Sequence, residues 1–73
     1  MSDWQVTVVK MLIENGTQGC RQSTLISKTS KYAGDGEVIA YLKMLAAEKK
    51  VQKFILPGQV VQWRATTNIE KLE

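Results

Sequence analysis

The stretch that decides the fold is 35-DGEVIAYLKMLAAEKKVQKFILPGQVVQWR-64. Its first half has helical spacing: Val38, Leu42, Leu45 and Ala46 recur on one side, with Glu37, Ala40, Lys43 and Ala47 broadly opposite. Asp35 is placed to cap the helix start, where a carboxylate satisfies free N–H groups and suits the dipole. Lys49 and Lys50 stand at the other end, where positive charge is favoured. The second half reads as two strands, Val51–Leu56 and Val60–Arg64, joined at Pro57-Gly58. Pro57 presets the first corner of a type II turn and Gly58 permits the positive φ of the second. A two-residue turn there sets Ile55 opposite Val60, Phe54 opposite Val61, Lys53 opposite Gln62 and Gln52 opposite Trp63. Alternation then places Phe54, Val61 and Trp63 on one face and Ile55 and Val60 on the other. Arg64 is placed to pair with Glu37 or Glu48.

Upstream, Ser2-Asp3-Trp4-Gln5 has the form of a capping box, and Trp4, Val8, Met11 and Leu12 mark a helix from Asp3 to about Glu14. Asn15-Gly16 stops it. Gly19-Cys20 is a short extended linker. A second helix follows from Arg21 to Thr29, with Leu25 and Ile26 inward and Thr29 or Cys20 completing the stripe. Ser, Thr and Gln lower its propensity, so packing must hold it. Ser30 to Gly34 is a turn. Beyond Ala65 the chain turns polar, so residues 1–65 are expected to form the domain and 66–73 a flexible tail, in which Ile69–Glu73 could instead form a helical turn capped by Asn68; the hairpin or Ile69–Leu72 offers a surface for a second copy.

Composition narrows the chemistry. Seventy-three residues make one small domain, which buries only about 60% of its unfolded surface and leaves little room for an enclosed active site. Cys20 is the sole cysteine and histidine is absent. No disulfide can form within the chain, and zinc clusters and histidine-dependent catalysis lack their ligands. Cys20 has no histidine to activate it and reads as a small buried hydrophobe. The five glycines form no phosphate loop. The expectation is a non-enzyme without metal or cofactor. A reduced lone thiol, no signal peptide and no apolar run of about 20 residues point to a cytoplasmic protein away from the membrane.

Charge is distributed unevenly. The chain carries +3 overall, yet residues 43–64 hold Lys43, Lys49, Lys50, Lys53 and Arg64 against Glu48 alone, a local +4. Such an excess fits a polyanionic partner, and it equally describes a solvated lysine-rich face.

The order helix, helix, turn, helix, hairpin resembles the winged helix-turn-helix superfamily. The likeness is carried by Val8-Val9-Lys10-Met11-Leu12, by Ser23 through Lys28, by Val38 through Lys50, and by Val51 through Phe54 with Gln62-Trp63-Arg64. It covers about residues 3 to 65. The resemblance implies an α+β fold: a three-helix winged helix-turn-helix with a C-terminal two-stranded β-hairpin wing. It further implies a transcription or replication regulator that contacts double-stranded DNA with helix three and the wing. The DNA-binding residues implied are Lys28, Ser30, Lys31 and Tyr32 at the helix-two end and turn, Lys43 on helix three, and Lys53, Gln59 and Arg64 on the hairpin. Helix three offers Gly36, Glu37, Ala40 and Lys43, with no Arg, Asn or Gln for bidentate base readout. The alternative is a protein-interaction or homodimerisation module using Phe54, Ile55, Val60, Val61 and Trp63.

Overall fold

A computed structural model describes residues 2–67 and Ile69. The fold is α+β, three helices against a three-stranded antiparallel sheet. In chain order come α1 (Asp3–Asn15), β1 (Cys20–Arg21), α2 (Gln22–Thr29), α3 (Asp35–Ala47), β2 (Val51–Leu56) and β3 (Val60–Ala65). Strands lie in the order β1-β3-β2.

Each helix begins and ends for local reasons. At α1 the Ser2 N–H donates to Gln5 Oε1 at 3.0 Å, one arm of the expected box. Gly16, at φ 55°, ends α1 and opens a single 3₁₀ turn, Gly16–Gln18. At α3 the N-cap is Gly34, and the expected capping by Asp35 is replaced. The Glu37 carboxylate reaches back and accepts the Gly34 N–H at 3.3 Å, while Asp35 is the first helical residue. The end of α3 is a Schellman turn: Lys50 N–H donates to Leu45 O and Lys49 N–H to Ala46 O, both at 2.9 Å. Lys49 takes the left-handed position at φ 63°, and Lys50 pairs with Glu48 at 3.2 Å.

The core lies where the helices meet one face of the sheet. Val8 and Leu12 of α1, Leu25 of α2, and Val38, Leu42 and Leu45 of α3 are fully buried. Tyr41 joins them and meets Trp4 edge-to-face, with ring centroids 5.5 Å apart at 78°. The sheet adds Cys20, Val51 and Trp63. Buried Thr29 satisfies its hydroxyl by donating to Leu25 O at 2.8 Å.

Two expectations about the strands are corrected. The hairpin is one part of a three-stranded sheet, because Cys20 and Arg21 pair with Trp63 and Gln62. Arg21 is therefore extended strand, and α2 starts at Gln22. The register is also displaced by one residue: Leu56 pairs with Val60, Ile55 with Val61, Phe54 with Gln62, Lys53 with Trp63 and Gln52 with Arg64. The connection has three residues, because Gln59 follows Gly58 into positive φ (62° after 84°). A one-residue slip exchanges faces. Phe54 thus lies on the side opposite Val61 and Trp63, which share their side with Ile55.

At the C-terminal end, the Thr66 N–H donates to Lys50 O at 3.0 Å and its hydroxyl to Lys49 O at 2.6 Å, tying the end of β3 to the start of β2. Ile69, expected in a flexible tail and as part of a surface for a second copy, is 3% exposed and belongs to the core. Asn68 and residues 70–73, the rest of that expectation, lie outside the described residues. No helix among the described residues is long and apolar enough to cross a membrane.

Candidate nucleic-acid interface

The expected contact residues fall into three groups. Lys28 sits in the last turn of α2, and Ser30, Lys31 and Tyr32 form the turn after it, all exposed. Tyr32 is 73% exposed, whereas the Ser30 hydroxyl is committed to Ser27 O at 3.0 Å. Lys43 is exposed on α3, and Gln59 is exposed in the hairpin loop. Among the described residues, Lys28, Lys31, Lys43 and Lys53 make no ion pair.

The two hairpin cations do not act together. Lys53 pairs with Trp63 and lies over its indole, 5.9 Å from the ring centroid. Arg64 is on the opposite face, and its expected partners Glu37 and Glu48 are replaced by a cross-strand neighbour. Nε and Nη2 both donate to Gln52 Oε1, at 2.9 and 2.6 Å, and the guanidinium lies 5.5 Å from the Phe54 ring. One cation thus borders the core and the other sits on the outer face of the sheet.

Exposed α3 is less suited to reading bases than to lying against a surface. Beside Lys43 it shows Glu37, Ala40, Met44 and Ala47, and Met44 is 49% exposed. Ala40, Tyr41 and Met44 line a cleft of about 310 Å³ with Trp4, Gln5 and Glu37. The Glu37 carboxylate is held at the helix start by its cap, which keeps negative charge beside any approaching phosphate.

Of the alternative protein-binding set, Trp63 is 1% exposed and its indole N–H donates to Gln22 Oε1 at 3.0 Å. Val61 packs against the core. Phe54 and Val60 are half-buried on the outer face, and Ile55 is 61% exposed. The accessible apolar surface is thus the hairpin tip, Ile55, Leu56 and Val60.

Sequence reasoning missed Arg21, together with its neighbour Gln62 and with Gln52 opposite Arg64, all on the outer face. Two residues of strand carry no periodicity, so only pairing with β3 reveals where Arg21 stands. Cys20, by contrast, is buried as expected, and its thiol donates to Met11 O at 3.4 Å. Burial raises its pKa above the ordinary 9.0, against a smaller lowering by a hydrogen bond from Asn15. Tyr41 is also raised, by burial first and then by the charge of Glu48.

The fold and these surfaces define a small α+β domain whose exposed cations are spread over α2, α3 and the sheet. Comparison with known protein families, curated proteins and solved structures finds no match for the chain.

Proposed function

We propose that this chain is a winged helix-turn-helix domain that binds duplex DNA without catalysis, as a cytoplasmic regulator of transcription or replication. The observation that carries the reading is the charge of Lys28, Lys31, Lys43 and Lys53, exposed and without ion pairs among the described residues. The succession α1-β1-α2-α3-β2-β3 is compatible with that fold. The lysines supply phosphate neutralisation, and the near absence of base-reading side chains on α3 makes the binding weakly sequence-selective. The test is anisotropy of a labelled random duplex between about 50 and about 200 mM salt. Log affinity should fall with log salt by about 0.9 per phosphate contact, and Lys43→Glu should weaken binding. Absence of binding at the lower salt would overturn the reading.

A second reading rests on the exposed hairpin tip. Ile55 and Leu56 project apolar surface from β2, an edge strand of the sheet, which suits a protein partner or a second copy. Sedimentation velocity of the wild type and Ile55→Lys separates the cases: self-association abolished by the substitution supports it, and a monomer at all concentrations removes the second copy.

A further inference from the structure

We propose that the outer face of the sheet is a separate binding surface for single-stranded nucleic acid. The pairing puts Arg21, Gln62 and Phe54 in one row across the three strands, with Arg64 and Gln52 in the next row. These residues and the neighbouring Leu56 and Val60 include two arginines and no carboxylate. Charge complementarity therefore favours a polyanion. Arg21 is diagonal to Arg64 across the β1–β3 pair, which places the two residues about 7–8 Å apart, so that both can serve one strand.

The centre of the face is a cation–ring pair. The Arg64 guanidinium lies against the Phe54 ring and is held by Gln52, which occupies two of its five N–H donors. The remaining donors are oriented before any ligand arrives. Phe54 reaches from β2 across β3 to Gly19, where a Cβ would stand 3.2 Å from its Cε1. Gly19 thus leaves the room that lets the ring lie across the sheet. An aromatic–guanidinium platform offers a stacking surface to an unpaired base, the Gln62 amide offers a donor and an acceptor to its edge, and Gln52 offers its N–H donors. A duplex keeps its bases stacked inside and cannot use such a platform. That distinction separates this surface from the proposed α3 contact, although the winged-helix resemblance also counts Arg64 among its duplex contacts.

The experiment uses the full chain with a labelled oligo-dT strand, and with the same strand annealed to oligo-dA, at about 50 mM salt. Phe54→Leu removes the ring while keeping apolar bulk, Arg21→Gln removes an exposed charge, and Lys43→Glu is the control on α3. Phe54→Leu should weaken oligo-dT binding by about tenfold, within the range of one stacked base. Arg21→Gln should lower its log–log salt slope by about 0.7. Neither should change duplex affinity, and Lys43→Glu should leave oligo-dT affinity unchanged. Wild-type protein that binds the duplex and not oligo-dT overturns this surface alone; the reverse overturns only the α3 reading. The surface is also overturned by oligo-dT binding indifferent to Arg21→Gln, a variant whose exposed side chain keeps folding out of the question. Equal losses on both ligands, or competition by polyglutamate as effective as by unlabelled oligo-dT, overturn it as well.

Discussion

The inner and outer faces of the sheet alternate along the same three strands and yet are held in different ways. Inside, Cys20, Val51 and Trp63 are buried against the helices, and the one polar group that Trp63 brings is satisfied by Gln22. Outside, Arg21, Gln52, Gln62 and Arg64 remain in reach of solvent, with Arg64 organised by Gln52 and Phe54. Burial fixes the first set, so changes there register as lost stability. Mutual contacts between side chains in reach of solvent fix the second, so changes there should leave stability nearly intact.

Trp63→Ala gives the largest contrast. It removes the largest of the fully buried side chains and should cost about 3–5 kcal/mol, a large part of the stability of so small a domain. Arg64→Ala, the next residue but outward, should cost about 1 kcal/mol or less. Urea unfolding followed by circular dichroism measures both. Equal losses would mean that the two faces are not divided as described.

Gly19→Ala comes next. Gly19 has φ 76°, and a Cβ there would lie 2.7 Å from the Trp63 carbonyl oxygen as well as against Phe54 and Arg64. With ψ at 179° this is the extended positive-φ region open essentially to glycine alone, which costs an alanine about 1–3 kcal/mol, and the clash adds to it. Unlike Trp63→Ala, this substitution should disturb both faces, lowering the urea midpoint and shifting the Arg64 side-chain NMR signals together. A stable variant with unmoved Arg64 signals would show that β1 can withdraw from β3 without consequence.

How far the two faces could be read in advance follows from how local their causes are. The α1 cap, the Gly16 stop and the buried stripe of α3 depend on residues three or four apart, and each is visible in the chain. The sheet depends on longer-range facts. Pro57-Gly58 advertises a two-residue turn, but Gln59 also adopts positive φ, which a non-glycine residue seldom signals. That extra loop residue moved Phe54 from the face expected to carry Val61 and Trp63 to the other one. The pairing of Arg21, and the burial of Ile69 beyond the polar Thr66-Thr67, are likewise set by distant partners. Individual cations were legible as charges; their grouping was not, because it depended on this register.

Gln59→Gly isolates that turn. Glycine relieves the positive φ at 59 but gains freedom in the unfolded chain, so the net gain should be about 0.5–1 kcal/mol. The cross-strand contacts Phe54–Gln62 and Lys53–Trp63 should persist in nuclear Overhauser spectra. Destabilisation, or the appearance of Phe54–Val61 pairing, would show that Gln59 itself holds the register and that the two faces can be exchanged.

Ile55→Thr should have the smallest effect and marks where the inner face ends. Ile55 has the same orientation as Trp63 and pairs with partly buried Val61, yet it is 61% exposed. The helices cover the base of the hairpin, and Lys53 over the Trp63 ring lies at the border. Threonine retains the β-branch and the strand preference while removing apolar surface that is already in water. The stability change should stay within about 0.5 kcal/mol. A loss comparable with that of a buried isoleucine would mean that something covers the hairpin tip in solution, and a concentration dependence of that loss would identify the cover as a second copy of the chain.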